Sequence, residues 1–337
     1  MSDRGDLSLN FKESENQFDE ETIILYNKFL RSPQSLSTLE RNYLLAGLLE
    51  NYGDLKLIKT LCCYTIGDNN LRAFIWKRFL KYMPFDNQRS EEISEIRKML
   101  YNSYVKDIYL ESPLKEDVIR CIELDIPRTI NFPLINNQNA KEAFKRLLYI
   151  LCMKHKNAEY QSGFTFLCVP LFVAYLSSYD ANQQNLSDDI IFQLEVDVFY
   201  SLSEIFKENP WISSNNFLQQ ELDEFSSYIK LYDQDLDEHL SSNEIQANFY
   251  AYRWLKCLFT LDFPVQFILK VWDVLISCDE GFRFSIKIAA AVLLKFRENL
   301  LSSPDMAQIL TSISNIKNYN WTDNEIEMVI SHAFMLN

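Results

Sequence analysis

Apolar positions recur every three or four residues along most of this chain, the spacing that lines one face of an α-helix. Leu71, Ile75, Phe79 and Tyr82 make one such stripe, with Trp76 beside it, and Pro84 ends the run. Ile93, Ile96, Leu100 and Tyr104 make another within Glu91 to Tyr109. Ala140 resumes a helix, Ile190 to Phe206 forms one that stops near Pro210, and residues 217–231 and 247–260 follow suit. Val265, Ile268, Trp272 and Leu275 share a stripe behind Pro264. Ile286, Ala289, Ala290, Leu293, Phe296 and Leu300 predict the most regular amphipathic helix of the chain, over Arg283 to Leu300. Phe164 to Leu176 differs, being apolar almost throughout with Pro170 inside. Crossing a bilayer takes roughly 20 residues, so this shorter run reads as a core segment and not as a membrane span.

Polar interruptions divide the chain. Residues 1–20 read as a flexible acidic leader, without the basic start and apolar middle of a signal peptide. Residues 21–64 read as two or three N-terminal helices packing on the rest, with breaks at Ser32-Pro33 and around Gly53. A polar insert at 177–189 punctuates the body of the chain, and no fixed-length repeat suggests a solenoid.

Composition agrees with helices. Only 6 of 337 residues are Gly, while 47% are hydrophobic, so the fold class is all-α with a large core, arranged as an irregular stack of a dozen or more helices. A formal charge of −14 repels nucleic acid and anionic lipid, which excludes a nucleic-acid partner and leaves any membrane association indirect. Seven Cys lie mostly within apolar runs without paired C-x-x-C spacing, as expected for reduced thiols in a cytoplasmic protein.

Most self-contained chemistry is absent from the sequence. His155, His239 and His332 stand outside any metal-binding spacing, so no metal site is expected. Asp233, Asp235, Asp237, Ser241 and Glu244 imitate a calcium loop, but Glu238 occupies the position where the sharp turn needs Gly. A solvated acidic helix explains them better. There is no G-x-S-x-G and no G-x-x-x-x-G-K-[ST]. What remains are loop residues, notably Arg128, whose neighbour Pro127 stiffens the backbone that presents it. A surface Arg paired with Asp125 or Glu123 is the plainer account of the same residue.

Read together, the segments carry more. Gly67 to Lys77 (GDNNLRAFIWK), Ile122 to Thr129 (IELDIPRT), Tyr160 to Phe164 (YQSGF), Phe249 to Trp254 (FYAYRW), Phe263-Pro264 and Val271 to Leu275 (VWDVL) stand in order across residues 65–335. This series resembles the motifs of TBC domains, the GTPase-activating proteins of Rab-type small GTPases. The resemblance implies an irregular all-helical domain of two intimate helical subdomains. It also implies a GTPase activator rather than an enzyme with its own turnover, acting on a Rab-family GTPase in the GTP state. A role in vesicle trafficking and a cytoplasmic location, peripheral on endomembranes, go with it. No cofactor of its own is expected, since GTP and Mg come with the partner.

The resemblance further assigns roles. Arg128 aligns with the family's Arg finger and Asp125 with the Asp that orients the Arg side chain or its loop. Thr129, Tyr160 and Gly163 fall on positions that support the finger loop or contact the GTPase. The third motif departs from the family pattern Y-x-Q-G: Ser162 occupies the Gln-finger position and Gln161 stands one residue early, a displaced candidate. A shift of one residue turns a side chain by roughly 100° on a helix or about 180° on an extended segment. The alternative reading is therefore a catalytically weak or inactive adaptor that binds a Rab or scaffolds a membrane-traffic complex. A helical interaction protein without a GTPase partner is a third.

Overall fold

The computed structural model describes residues 18–50, 54–64, 66–129, 136–154, 160–179, 186–213 and 215–336. The acidic leader before Phe18, Gly53, His155 and the centre of the 177–189 insert lie outside the described residues. All regular structure among the described residues is helical.

The described residues open with three helices: α1 (Glu20–Arg31), α2 (Thr38–Glu50) and α3 (Leu55–Cys62). The first half of the body holds α4 (Asn69–Phe79), α5 (Asn87–Tyr104), α6 (Glu116–Asp125), α7 (Gln138–Lys154), α8 (Phe164–Leu176) and α9 (Asp188–Glu208). The second half holds α10 (Pro210–Ser213), α11 (Asn215–Tyr232), α12 (Gln234–Ser242), α13 (Ala251–Lys256), α14 (Val265–Ser277), α15 (Phe284–Lys295), α16 (Arg297–Leu301), α17 (Met306–Asn315) and α18 (Asp323–Met335). Side-chain caps set several starts: Asp19, Asp54, Asp68, Ser187, Asp233, Asp305 and Thr322 each accept a hydrogen bond from a first-turn amide.

The near-continuous apolar run becomes α8, in which every residue except Val173 is buried. It packs against α4, α7, α9 and α14, so the helix without a polar face is the one enclosed by neighbours. Because α14 also meets α3, α4 and α18, it joins the two halves and the N-terminal helices into one contiguous core.

That junction is keyed by a buried ion pair. Arg72 of α4 donates Nε to Asp273 Oδ1 at 2.8 Å and Nη2 to Oδ2 at 3.0 Å. Trp76 Nε1 and the Ile66 amide complete the carboxylate's shell at 2.9 and 3.1 Å. Burial raises the Asp273 carboxyl above its ordinary value, and the Arg72 guanidinium pulls against that shift. Arg72 thus takes Asp273, while Arg253 takes Asp262 at 2.6 and 2.8 Å.

Other expectations need correction. In α5 the inward line runs from half-buried Arg97 to buried Tyr101 and on to Val105 just beyond the helix, not through Ile96 and Leu100, which are 47% and 46% exposed. The line is hidden in the sequence because Arg97 begins it, stacking its guanidinium 4.7 Å from the centre of the Tyr200 ring. Arg283 to Leu300 is not one amphipathic helix. A break at Phe296 separates α15 from α16, and α15 is buried on nearly all sides by α11, α13 and α18. The helix expected through 247–260 ends at Lys256, after which Leu258 and Phe259 adopt positive φ of 45° and 67°. Cys121 is exposed, unlike the buried Cys62, Cys152, Cys168 and Cys257. Asp233 caps α12 and pairs with Arg297 at 2.6 Å, as an acidic helix start would.

Candidate functional site

The second and third motifs meet at one carboxylate. Asp125 ends α6 and is only 4% exposed. Its Oδ2 accepts the Tyr160 hydroxyl at 2.8 Å and the Gly163 amide at 3.3 Å, and its Oδ1 accepts the Ser162 hydroxyl at 3.1 Å. Three donors from a segment more than thirty residues away are therefore fixed on the residue that begins the Arg128 turn. The carboxylate thereby ties the loop to the turn.

Pro127 shapes the turn itself. Ile126–Arg128 is a single 3₁₀ turn, with Ile126 buried and the Thr129 amide donating to the Ile126 carbonyl at 3.0 Å. The Thr129 hydroxyl returns to the Asp125 carbonyl at 3.1 Å, and Thr129 is itself buried. Arg128 is exposed at the tip. Both carboxylates that could have absorbed it are engaged elsewhere: Asp125 on the facing loop, and Glu123 with Lys145 at 3.2 Å. Among the described residues the Arg128 guanidinium forms no ion pair.

Gly163 permits the approach. It has φ of +109° at the start of α8, and a Cβ added there would lie 3.0 Å from Cys257 Sγ. The Phe164 amide closes the turn on the Gln161 carbonyl at 3.2 Å, and the Tyr160 ring meets Phe164 edge-on at 5.8 Å. Burial, with the Asp125 charge next, raises the Tyr160 phenol well above its ordinary value. It stays protonated and donates.

The two Gln-finger candidates, Ser162 and Gln161, lie on the loop that meets Asp125. Ser162 is exposed as a residue, but its hydroxyl is directed at Asp125. Gln161 encloses its amide oxygen in the protein.

One neighbour escaped the sequence reading. Lys256, 4% exposed, places Nζ 5.8 Å from the Phe164 ring centre, directly behind the loop, with no hydrogen-bond acceptor among the described residues. Burial lowers its pKa to about 8. The only cue was a lysine inside the otherwise apolar run LKCLF.

Comparison with known proteins bears on this arrangement. The Rab-GTPase-TBC domain family model matches residues 69–301. The chain is 25% identical over 287 residues to human TBC1 domain family member 22B, covering 82% of this chain and 57% of that protein. It is 25% identical over 299 residues to the Schizosaccharomyces pombe GTPase-activating protein gyp1, covering 84% of this chain and 58% of that one. The chain thus spans little more than half the length of these curated relatives. The crystal structure of the Ypt/Rab-GAP domain of Gyp1p superposes with a TM-score of 0.82 at 23% identity, covering 89% of this chain and 98% of that one. A Chlamydomonas flagellar RabGAP TBC domain gives 0.63 at 15% identity, covering 93% of each.

Proposed function

Because the chain belongs to the Rab-GTPase-TBC family, we propose that it activates GTP hydrolysis on a Rab-family GTPase, with Arg128 as the group inserted in trans. One observation carries the proposal: Asp125 locks the turn and the facing loop together while Arg128 stays exposed at the turn's tip, without an ion pair among the described residues. In phosphoryl transfer, negative charge spreads over the phosphate oxygens, and a guanidinium placed there is worth roughly 10³–10⁵ in rate, or about 4–7 kcal/mol. A stiff, proline-braced turn lowers the ordering cost of delivering that charge to another protein.

In this reading the partner brings GTP and Mg, and the chain contributes Arg128, the Asp125 hub, and the supporting Thr129, Tyr160 and Gly163. The attacking water is then aligned by the GTPase's own residues, since Gln161 and Ser162 are both directed into the fold. Recruitment to an endomembrane runs through the GTPase or another protein: no helix among the described residues is long and apolar enough to cross a bilayer.

The same Ser162 and Gln161 geometry favours a second reading, a Rab-binding adaptor with weak or absent activation. Single-turnover GTP hydrolysis across a Rab panel separates the two. Stimulation by the chain that falls by about 10³ or more in Arg128→Ala supports activation. Binding of a GTP-loaded Rab without any stimulation supports the adaptor.

A further inference from the structure

On the side of the molecule formed by the N-terminal helices and the last helix lies a cleft of about 910 Å³. Leu36, Tyr64, Met328, Ile330, Phe334 and Met335 supply apolar walls. Met328, Phe334 and Met335 are 46%, 46% and 64% exposed, so three large apolar side chains of α18 face this opening uncovered. The volume falls in the range of about 300–1,000 Å³ typical of small-molecule sites.

Arg41 of α2 distinguishes the cleft from an ordinary apolar groove. It lines the cavity yet is only 9% exposed. Its Nε has no acceptor among the described residues. Among the described residues its one hydrogen bond is a long 3.4 Å contact from Nη2 to Thr38 Oγ1, and the Tyr64 ring centre lies 6.0 Å from its Cζ. No carboxylate of the described residues faces it in an ion pair, although a buried guanidinium normally has one.

The acidic residues of the lining are already paired: Asp279 with Lys59 at 3.1 Å, and Glu327 with Lys270 at 3.5 Å. Lys56 adds a further positive charge to the lining. The two thiols there are inert, because burial pushes Cys63 up to about 12 and Cys278 up to about 11. Covalent and thiolate-metal chemistry are thereby disfavoured, and reversible capture of an anion with a long apolar body fits the site.

We propose that this cleft binds a single-chain anionic amphiphile, with the acyl chain along the α18 wall and the carboxylate or phosphate head on Arg41. The planar fork of a guanidinium matches either head in a two-point contact. Apolar chain burial supplies the affinity and the ion pair fixes the orientation. The inference does not depend on GTPase activation, since none of the lining residues belongs to the Asp125 site.

The test titrates oleate below its micelle concentration into the full chain by calorimetry, beside lysophosphatidate, oleyl alcohol and octanoate. Saturable 1:1 binding of oleate or lysophosphatidate is expected, and the two arms distinguish a carboxylate source from a phosphate one. Oleyl alcohol and octanoate should bind at least about tenfold more weakly, as should Arg41→Gln with either anion. Ser331→Trp, an exposed lining position whose ring fills the cleft, should abolish binding while leaving the thermal transition in place. Absence of saturable binding to the wild-type chain overturns the proposal. Binding indifferent to both Arg41→Gln and Ser331→Trp, or equal for oleyl alcohol, overturns it as well.

Discussion

Arg72 and Arg128 are the same side chain put to opposite uses. Arg72 is buried, and its guanidinium is committed to Asp273, to the Ile66 carbonyl and to Asn69. Arg128 is exposed, and the two nearest acidic candidates are committed to other donors. A motif arginine whose donors are all satisfied inside the fold holds helices together. One that the fold stiffens from behind but leaves unpaired is available to a second molecule. The difference is set by the backbone under each residue: the interior of α4 for Arg72, a 3₁₀ turn at the end of α6 for Arg128.

The comparison breaks if the two substitutions behave alike. Arg72→Ala strands Asp273 as an uncompensated buried charge and should cost about 3–5 kcal/mol of stability, read as a large fall in the denaturant midpoint. Arg128→Ala should leave that midpoint within about 0.5 kcal/mol of wild type.

Asp125 sits between these extremes, because it is buried like Asp273 yet serves the exposed arginine. Asp125→Ala removes three hydrogen bonds from Tyr160, Ser162 and Gly163 and should cost about 2–3 kcal/mol. GTPase stimulation should fall at temperatures where the variant is still folded, since Arg128 then lacks its brace. Full stimulation by a folded Asp125→Ala protein would show that the hub has no bearing on the arginine.

Lys256 sharpens the contrast from a third direction, being buried like Arg72 but unpaired like Arg128. Its folded pKa of about 8 lies below the ordinary 10.5, so between those values the unfolded chain binds the proton that the folded chain has released. Stability contributed at this site therefore rises as pH climbs from about 8 toward 10.5, and Lys256→Met should remove that rise. The same substitution should stabilise the protein by about 1–3 kcal/mol at pH 7, where the buried charge costs most. Chemical denaturation at pH 7 and at pH 9.5 reads both effects.

Much of this was legible in the chain. The helical periodicity, the all-apolar α8 and the motif order led to the fold, and the proline beside Arg128 marked the braced turn. In YQSGF the Ser162 hydroxyl donates to Asp125 and the Gln161 amide oxygen is enclosed, contacts that the spacing of the motif alone does not specify. What escaped were features that depend on partners distant in sequence. Nothing near Asp125 says that its ligands lie at 160–163, because that contact requires α7 to return the chain first. Arg97 conceals the buried line of α5, since a polar residue at its head masks the apolar spacing. Leu258 and Phe259 are large apolar residues in left-handed backbone, a conformation their side chains disfavour and the surrounding core imposes.

In the proposed activity the Arg128 charge acts on the transition state of hydrolysis, beyond any part in docking. The most direct measurement compares the affinity of the chain for a Rab loaded with GDP and aluminium fluoride, which mimics that transition state, with its affinity for the GTP-loaded form. The account predicts that the wild-type chain binds the mimic at least about a hundredfold more tightly, and that Arg128→Ala binds the two forms about equally. Equal affinities for the wild-type chain, or a preference for the mimic that survives Arg128→Ala, would contradict it.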